Sequence, residues 1–104
     1  MATIEPMSYE TIPIKVEAFT VPDFNEFIDD PVKCKQFLDE VNTFIRTTYE
    51  YTAEIVTILN KKALYIYCGV DMLYAFPGNI IIKYERGNVT SIDDIAFSKE
   101  FRKV

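Results

Sequence analysis

Histidine is absent from the 104 residues, and glycine occurs only three times. The first absence excludes most of the usual catalytic vocabulary. Histidine is the commonest metal ligand and the usual general base near neutral pH. Without it there is no Ser-His-Asp or Cys-His catalysis, no His-ligated zinc and no haem-His ligation. The three glycines, Gly69, Gly78 and Gly87, are too widely separated to build a phosphate-cradling loop. Two cysteines, Cys34 and Cys68, do not make a disulfide framework. The start Met1-Ala2-Thr3-Ile4-Glu5 lacks the basic and apolar regions of a signal peptide, so the expectation is reduced thiols in the cytoplasm. A glycosylation triplet at Asn88-Val89-Thr90 then carries no meaning.

Basic charge is also scarce. Eleven Lys and Arg stand against sixteen Asp and Glu, a net charge of -5. The closest basic neighbours, Lys61-Lys62 and Arg102-Lys103, do not make the stripe a nucleic-acid binder needs. An acidic protein is steered instead toward basic surfaces, including those of other proteins. Hydrophobic residues are 49% and charged residues 26%, the balance of a globular domain rather than a disordered chain. The length fits one domain, which buries about two-thirds of its unfolded surface. One apolar run, Ala63 to Ile82, is long enough to cross a bilayer. Asp71 inside it and the turn signal Phe76-Pro77-Gly78-Asn79 favour two antiparallel strands instead.

Periodicity supplies the elements. Residues 1–11 carry none and read as a loosely ordered N-terminal arm, leaving 12–104 as a single α+β domain. Ile12, Ile14, Val16 and Ala18 alternate as in a strand, with Pro13 at its start or on an edge. Asp23 can cap a short helical turn that groups Phe24, Phe27 and Ile28. Asp30-Pro31 is an N-cap followed by proline at the first helical position. Cys34, Phe37, Leu38, Val41, Phe44 and Ile45 then recur at helical spacing, with polar residues between them, until Thr47-Thr48.

From Tyr49 to Leu59 the aromatic and β-branched content predicts a strand. A turn around Asn60-Lys61 leads to a return strand from Ala63 to Met72, with Ile55 facing Ile66 and Thr57 facing Leu64. Gly69 is expected to mark a bulge in that strand. Phe76–Asn79 suits a type II turn into a strand over Ile80–Glu85, and Arg86-Gly87-Asn88 turns again into Val89-Thr90. Ser91 and Asp94 resemble a capping box for a last, weakly amphipathic helix carrying Ile92, Ile95, Ala96 and Phe101. The sum is an α+β fold: an antiparallel β-meander of about four to five strands, one main amphipathic helix packed on one face, and short helical turns.

Chemistry-bearing clusters are few. Asp29-Asp30, Asp39-Glu40 and Asp93-Asp94 could hold a divalent ion or act as acid and base if two pairs converged. Neighbours on a helix diverge, and helix-end complementation and a solvated face account for the three pairs. Cys34 and Cys68 fall on apolar stripes and read as small core residues. No catalytic, cofactor or metal-binding residue is assigned, and no cofactor is implied.

Tyrosine is the excess. If the main helix covers Leu64, Ile66 and Cys68, then Tyr65 and Tyr67 point the other way, onto a face an antiparallel sheet often leaves open. With Tyr49, Tyr51 and Tyr84, and with Glu50, Glu54, Lys83 and Glu85 at the rim, they form a candidate contact surface of large area and small entropy cost. Cross-strand packing that merely covers the sheet is the competing reading. Aromatics on a sheet can also stack bases, but carboxylates among them would repel phosphates.

The sequence therefore points to a small acidic, non-enzymatic protein-binding module whose partner has a basic or mixed surface, with no direct nucleic-acid or membrane contact. Isoleucine outnumbers leucine, and Tyr, Phe and Lys are plentiful. That mix is compatible with an AT-rich coding sequence and with a phage or mobile-element inhibitor of anti-defence type, acting in the host cytoplasm. A homo-oligomeric structural or assembly subunit is the alternative, using the same sheet face or the Ile80–Ile82 strand. A carboxylate and divalent-metal enzyme comes third.

Overall fold

The computed structural model describes residues 4, 6–11, 14–46 and 49–103. Ile12, Pro13, Thr47 and Thr48, read above as a strand start and a helix end, lie outside the described residues. The chain runs β1 (Met7–Thr11), β2 (Ile14–Thr20), a 3-10 turn (Phe24–Glu26), α1 (Pro31–Ile45), β3 (Thr52–Ile58) and β4 (Lys61–Cys68). It continues through β5 (Asp71–Ala75), β6 (Ile80–Tyr84), β7 (Val89–Ile92), α2 (Asp94–Glu100) and β8 (Arg102–Lys103). The strand pairings are antiparallel, and the class is α+β.

The strands divide between two sheets rather than forming one meander. One has the order β7-β6-β2-β1-β8, the other β3-β4-β5. The turn at Phe76–Asn79 makes this division. Gly78 takes φ +92°, and the Asn79 N–H donates to the Phe76 carbonyl at 3.0 Å, as a type II turn requires. Beyond it the backbone bonds to the first sheet instead of folding back on β5. Gly78 N–H donates to Val21 O at 2.9 Å, and Val21 N–H donates to Asn79 O at 2.8 Å, extending the β2–β6 ladder.

Local signals account for α1. The Asp30 carboxylate accepts from the Val32 and Lys33 N–H groups at 3.0 and 3.2 Å, and Pro31 opens the helix. Phe37, Val41, Phe44 and Ile45 are its buried stripe, with Cys34 and Leu38 half-buried beside them. Asp23 caps the short turn before it by accepting from the Asn25 N–H at 3.0 Å. That turn seats Phe24 and Phe27 against Phe37, with ring centroids 5.8 and 5.2 Å from the Phe37 ring. These side chains join Phe19 and Ile81 of the larger sheet and Ala53, Leu64, Ile66 and Ala75 of the smaller one in a single core. Asn42 ties α1 to the edge of β3: its Oδ1 accepts the Ala53 N–H at 3.0 Å while its Nδ2 donates to Leu38 O at 2.9 Å.

A second cluster lies on the reverse side of the larger sheet. Val16, Ala18, Ile82 and Phe97 are buried there, with Ile80, Tyr84, Ile92 and Phe101 packed against them. α2 makes this cover. Its N-cap is Asp93, which accepts from Ala96 N–H at 2.7 Å, whereas Ser91 stays in β7. The inward residue is Phe97, and Ile95 is exposed. The larger sheet is thus shielded on both faces and the smaller one on only one. Within the segment expected as an arm, Met7–Thr11 pairs with β2 from Met7↔Ala18 to Thr11↔Ile14. Its alternation is too short to read without the partner strand that supplies the bonds.

Two turns shift the expected registers. The β3–β4 hairpin turns at Leu59 and Asn60, both at positive φ (49° and 66°), as a two-residue I′ turn demands. Ile55 therefore opposes Leu64 and Thr57 opposes Lys62. The slip from the expected pairing is two residues, so every side chain keeps its face. Gly69, at φ +61°, does not mark a bulge. It and Val70 form the turn that separates β4 from β5, with Cys68 opposite Asp71.

Candidate functional site

β4 is the central strand of the smaller sheet, and from Leu64 to Tyr67 its side chains alternate between the core and the outer face. Leu64 and Ile66 are fully buried against the core, while Tyr65 and Tyr67 face outward and are half-buried. Register brings the outward residues of three strands together. Tyr65 lies between Glu54 of β3 and Tyr74 of β5, and Tyr67 between Thr52 and Met72. The rings of Tyr65 and Tyr67 stack with centroids 4.8 Å apart and planes inclined by 24°. Those of Tyr65 and Tyr74 are also 4.8 Å apart, inclined by 21°. Three phenol rings thus form one stack with Tyr65 in the middle, and the Tyr65 hydroxyl lies 4.0 Å from the Met72 sulfur.

Glu54 completes the arrangement. Hydrogen bonding toward its carboxylate is the main influence that holds the Tyr67 phenol above its ordinary pKa of 10.0; partial burial and the negative charges of Glu54 and Tyr65 add to the effect. Along β5, Met72 and Tyr74 are 59% and 45% exposed, and Phe76 just beyond them is 36% exposed. These side chains make a run of large, partly apolar groups on one open face.

The structure gathers some expected residues and disperses others. Glu54, Tyr65 and Tyr67 share the outer face. Tyr49 is exposed and pairs edge-on with Tyr51, centroids 6.1 Å apart, but both precede β3. Tyr51 packs against the core, and its hydroxyl accepts from the Val89 N–H at 3.4 Å, linking the two sheets. Glu50 is exposed and forms an isolated bridge with Arg46. Tyr84 belongs to the larger sheet, opposite Val16, and packs in the cluster under α2. Glu85 is exposed in the turn that follows. Lys83, placed above on the rim of the tyrosine surface, sits on the larger sheet with its Nζ 3.5 Å from Glu17 Oε1 and 4.6 Å above the Phe44 ring. Tyr74, one of the tyrosines expected in strands, joins the face, and so does Met72, which was not assigned to it. The signal was Gly69, whose turn sets the alternation of β5 in phase with β4.

Elsewhere several reactive side chains have structural partners. Cys34 donates to the carbonyls of Phe27 and Ile28 at 3.3 and 3.6 Å. Asp30 and Asp93 cap helices, and Asp39 pairs with Lys35 at 2.8 Å. Among the described residues no group of three or more Cys, Asp or Glu could hold a metal ion. A groove of about 1030 Å³ runs between α1 and the larger sheet over Phe44, but its lysines, Lys35 and Lys83, are each engaged by a carboxylate. Among the described residues no helix is long and apolar enough to cross a membrane, and the apolar run from Ala63 is β4, β5 and the start of β6. No protein-family model, curated protein or solved structure matches this chain.

Proposed function

We propose that this chain is a small non-enzymatic protein-binding module, and that the outer face of its three-stranded sheet occludes or modulates a partner protein. The observation that carries the reading is the Tyr67–Tyr65–Tyr74 stack on a face that neither helix covers. Rings held in register on a sheet lose little conformational freedom when a partner covers them, which is why tyrosines contribute strongly to binding. The net charge of -5 and the carboxylate on this face favour a partner with a basic or mixed surface. Occlusion needs no catalytic group, which suits a chain without histidine. An accessory inhibitor of a phage or mobile element, working in the cytoplasm on an anti-defence target, fits the same features.

The test is affinity capture from a lysate of the source cells, comparing the natural chain with Tyr65→Ala/Tyr67→Ala/Tyr74→Ala and with Glu54→Lys. Circular dichroism checks that each variant retains its fold. Specific partners should be lost from both. Recovery unchanged by the triple variant would discard this face as the binding surface. Sedimentation of the natural chain separates the homo-oligomeric alternative, since a monomer at micromolar concentration removes it.

A further inference from the structure

We propose that the Tyr67 end of the ring stack, beside Glu54, is a receptacle for the guanidinium group of an arginine side chain on the partner; this rests on the protein-binding reading above. A stack of three rings has two terminal faces. Tyr65 stacks with two rings, whereas among the described residues Tyr67 stacks with Tyr65 alone. The next residue of the same parity is Gly69, in the turn just past β4; it brings no side chain, and a Cβ placed there would meet nothing within 4 Å. The turn therefore adds no side chain beyond the terminal ring at that position. The exposed carboxylate of Glu54, opposite Tyr65 in register, stands one strand away and favours the protonated form of the neighbouring Tyr67 phenol. Its remaining lone pairs can accept further hydrogen bonds.

An aromatic face attracts cations through its quadrupole, and a carboxylate at its edge adds a charge-assisted hydrogen bond. A planar guanidinium uses both at once, lying flat on the ring while its N–H fork reaches the carboxylate. An ammonium is a compact, strongly hydrated point charge and can do only part of this. The face does not satisfy itself, because the cation of the same parity, Lys61, stands at the far hairpin, about 20 Å along β4 from Tyr67 at the usual rise per residue. A second copy of the chain would bring another Glu54 carboxylate toward the first.

The experiment is a nuclear magnetic resonance titration of the full chain with argininamide and, separately, with lysinamide. Argininamide should shift the Tyr67 ring and Glu54 side-chain signals along a saturating curve, and lysinamide should bind several-fold more weakly. Glu54→Gln should weaken argininamide binding about two- to fivefold, the measure of an exposed charge pair. Tyr67→Leu, which keeps apolar bulk on the strand, should abolish the preference for argininamide. Equal responses to the two amides, no saturation, or binding unchanged in Glu54→Gln would overturn the assignment. This failure differs from failure of the protein-binding reading. Capture lost in the triple tyrosine variant alongside a negative titration would leave the surface standing and remove only the arginine.

Discussion

The ring stack can be measured as a coupling energy. Tyr65 and Tyr74 are directly opposed on β4 and β5, with centroids 4.8 Å apart and planes 21° from parallel. Aromatic pairs contribute about 0.5–1.5 kcal/mol beyond their area burial, and cross-strand pairs of all kinds roughly 0.2–1 kcal/mol. Both rings keep part of their surface in water, so the lower half of the range applies, about 0.7 kcal/mol. A double-mutant cycle with Tyr65→Leu, Tyr74→Leu and the double variant isolates this quantity, because leucine preserves apolar cover on the sheet. The chain has no tryptophan, so urea unfolding is best followed by circular dichroism. With a slope of about 1–3 kcal/mol/M, the non-additivity corresponds to roughly 0.2–0.7 M in midpoint. The matched control is Tyr65 with Tyr84, which belong to different sheets and should show no coupling. Additivity of Tyr65 and Tyr74 within about 0.3 kcal/mol, or equal coupling to Tyr84, would refute the stack.

Three further outcomes follow from the geometry. Ile66→Ala, next to Tyr65 but fully buried, should cost about 2–5 kcal/mol in urea unfolding, through lost transfer energy and the cavity left behind; a loss under 1 kcal/mol would contradict the strand alternation. Leu59→Asn should stabilise by up to about 1 kcal/mol, because Leu59 holds φ +49° while 91% exposed, and asparagine tolerates that conformation better; a lower melting temperature would count against the I′ turn. In an ultraviolet titration Tyr67 should ionise above 10.0, and Glu54→Gln should move it down. The raised value means that the neutral phenol is favoured in the fold. Its contribution is present below pH 10 and disappears as pH rises through the raised value, so a Tyr67 titration indifferent to Glu54→Gln would rule out their hydrogen bond.

Wherever one short stretch of chain carried a complete physical instruction, the structure was legible in advance. Asp30-Pro31 with apolar residues at three- and four-residue intervals is sufficient for α1, because a cap and a stripe act within neighbouring turns. The alternation of Leu64 and Ile66 with Tyr65 and Tyr67 likewise survives a two-residue error in register, since the side-chain period is two. A histidine-free composition narrows the chemistry whatever the fold. Contacts between distant segments were a different matter. Whether Phe76–Asn79 returns the chain to β5 or sends it to β2 depends on Val21, more than fifty residues earlier, whose backbone receives the chain. Which tyrosines stay open depends on where the second helix lands: Phe97 carries α2 onto the larger sheet and covers Tyr84, so Tyr65, Tyr67 and Tyr74 remain outside. Side-chain direction follows from covalent geometry and can be read locally. Exposure is a property of what packs on top, and only the assembled chain decides it.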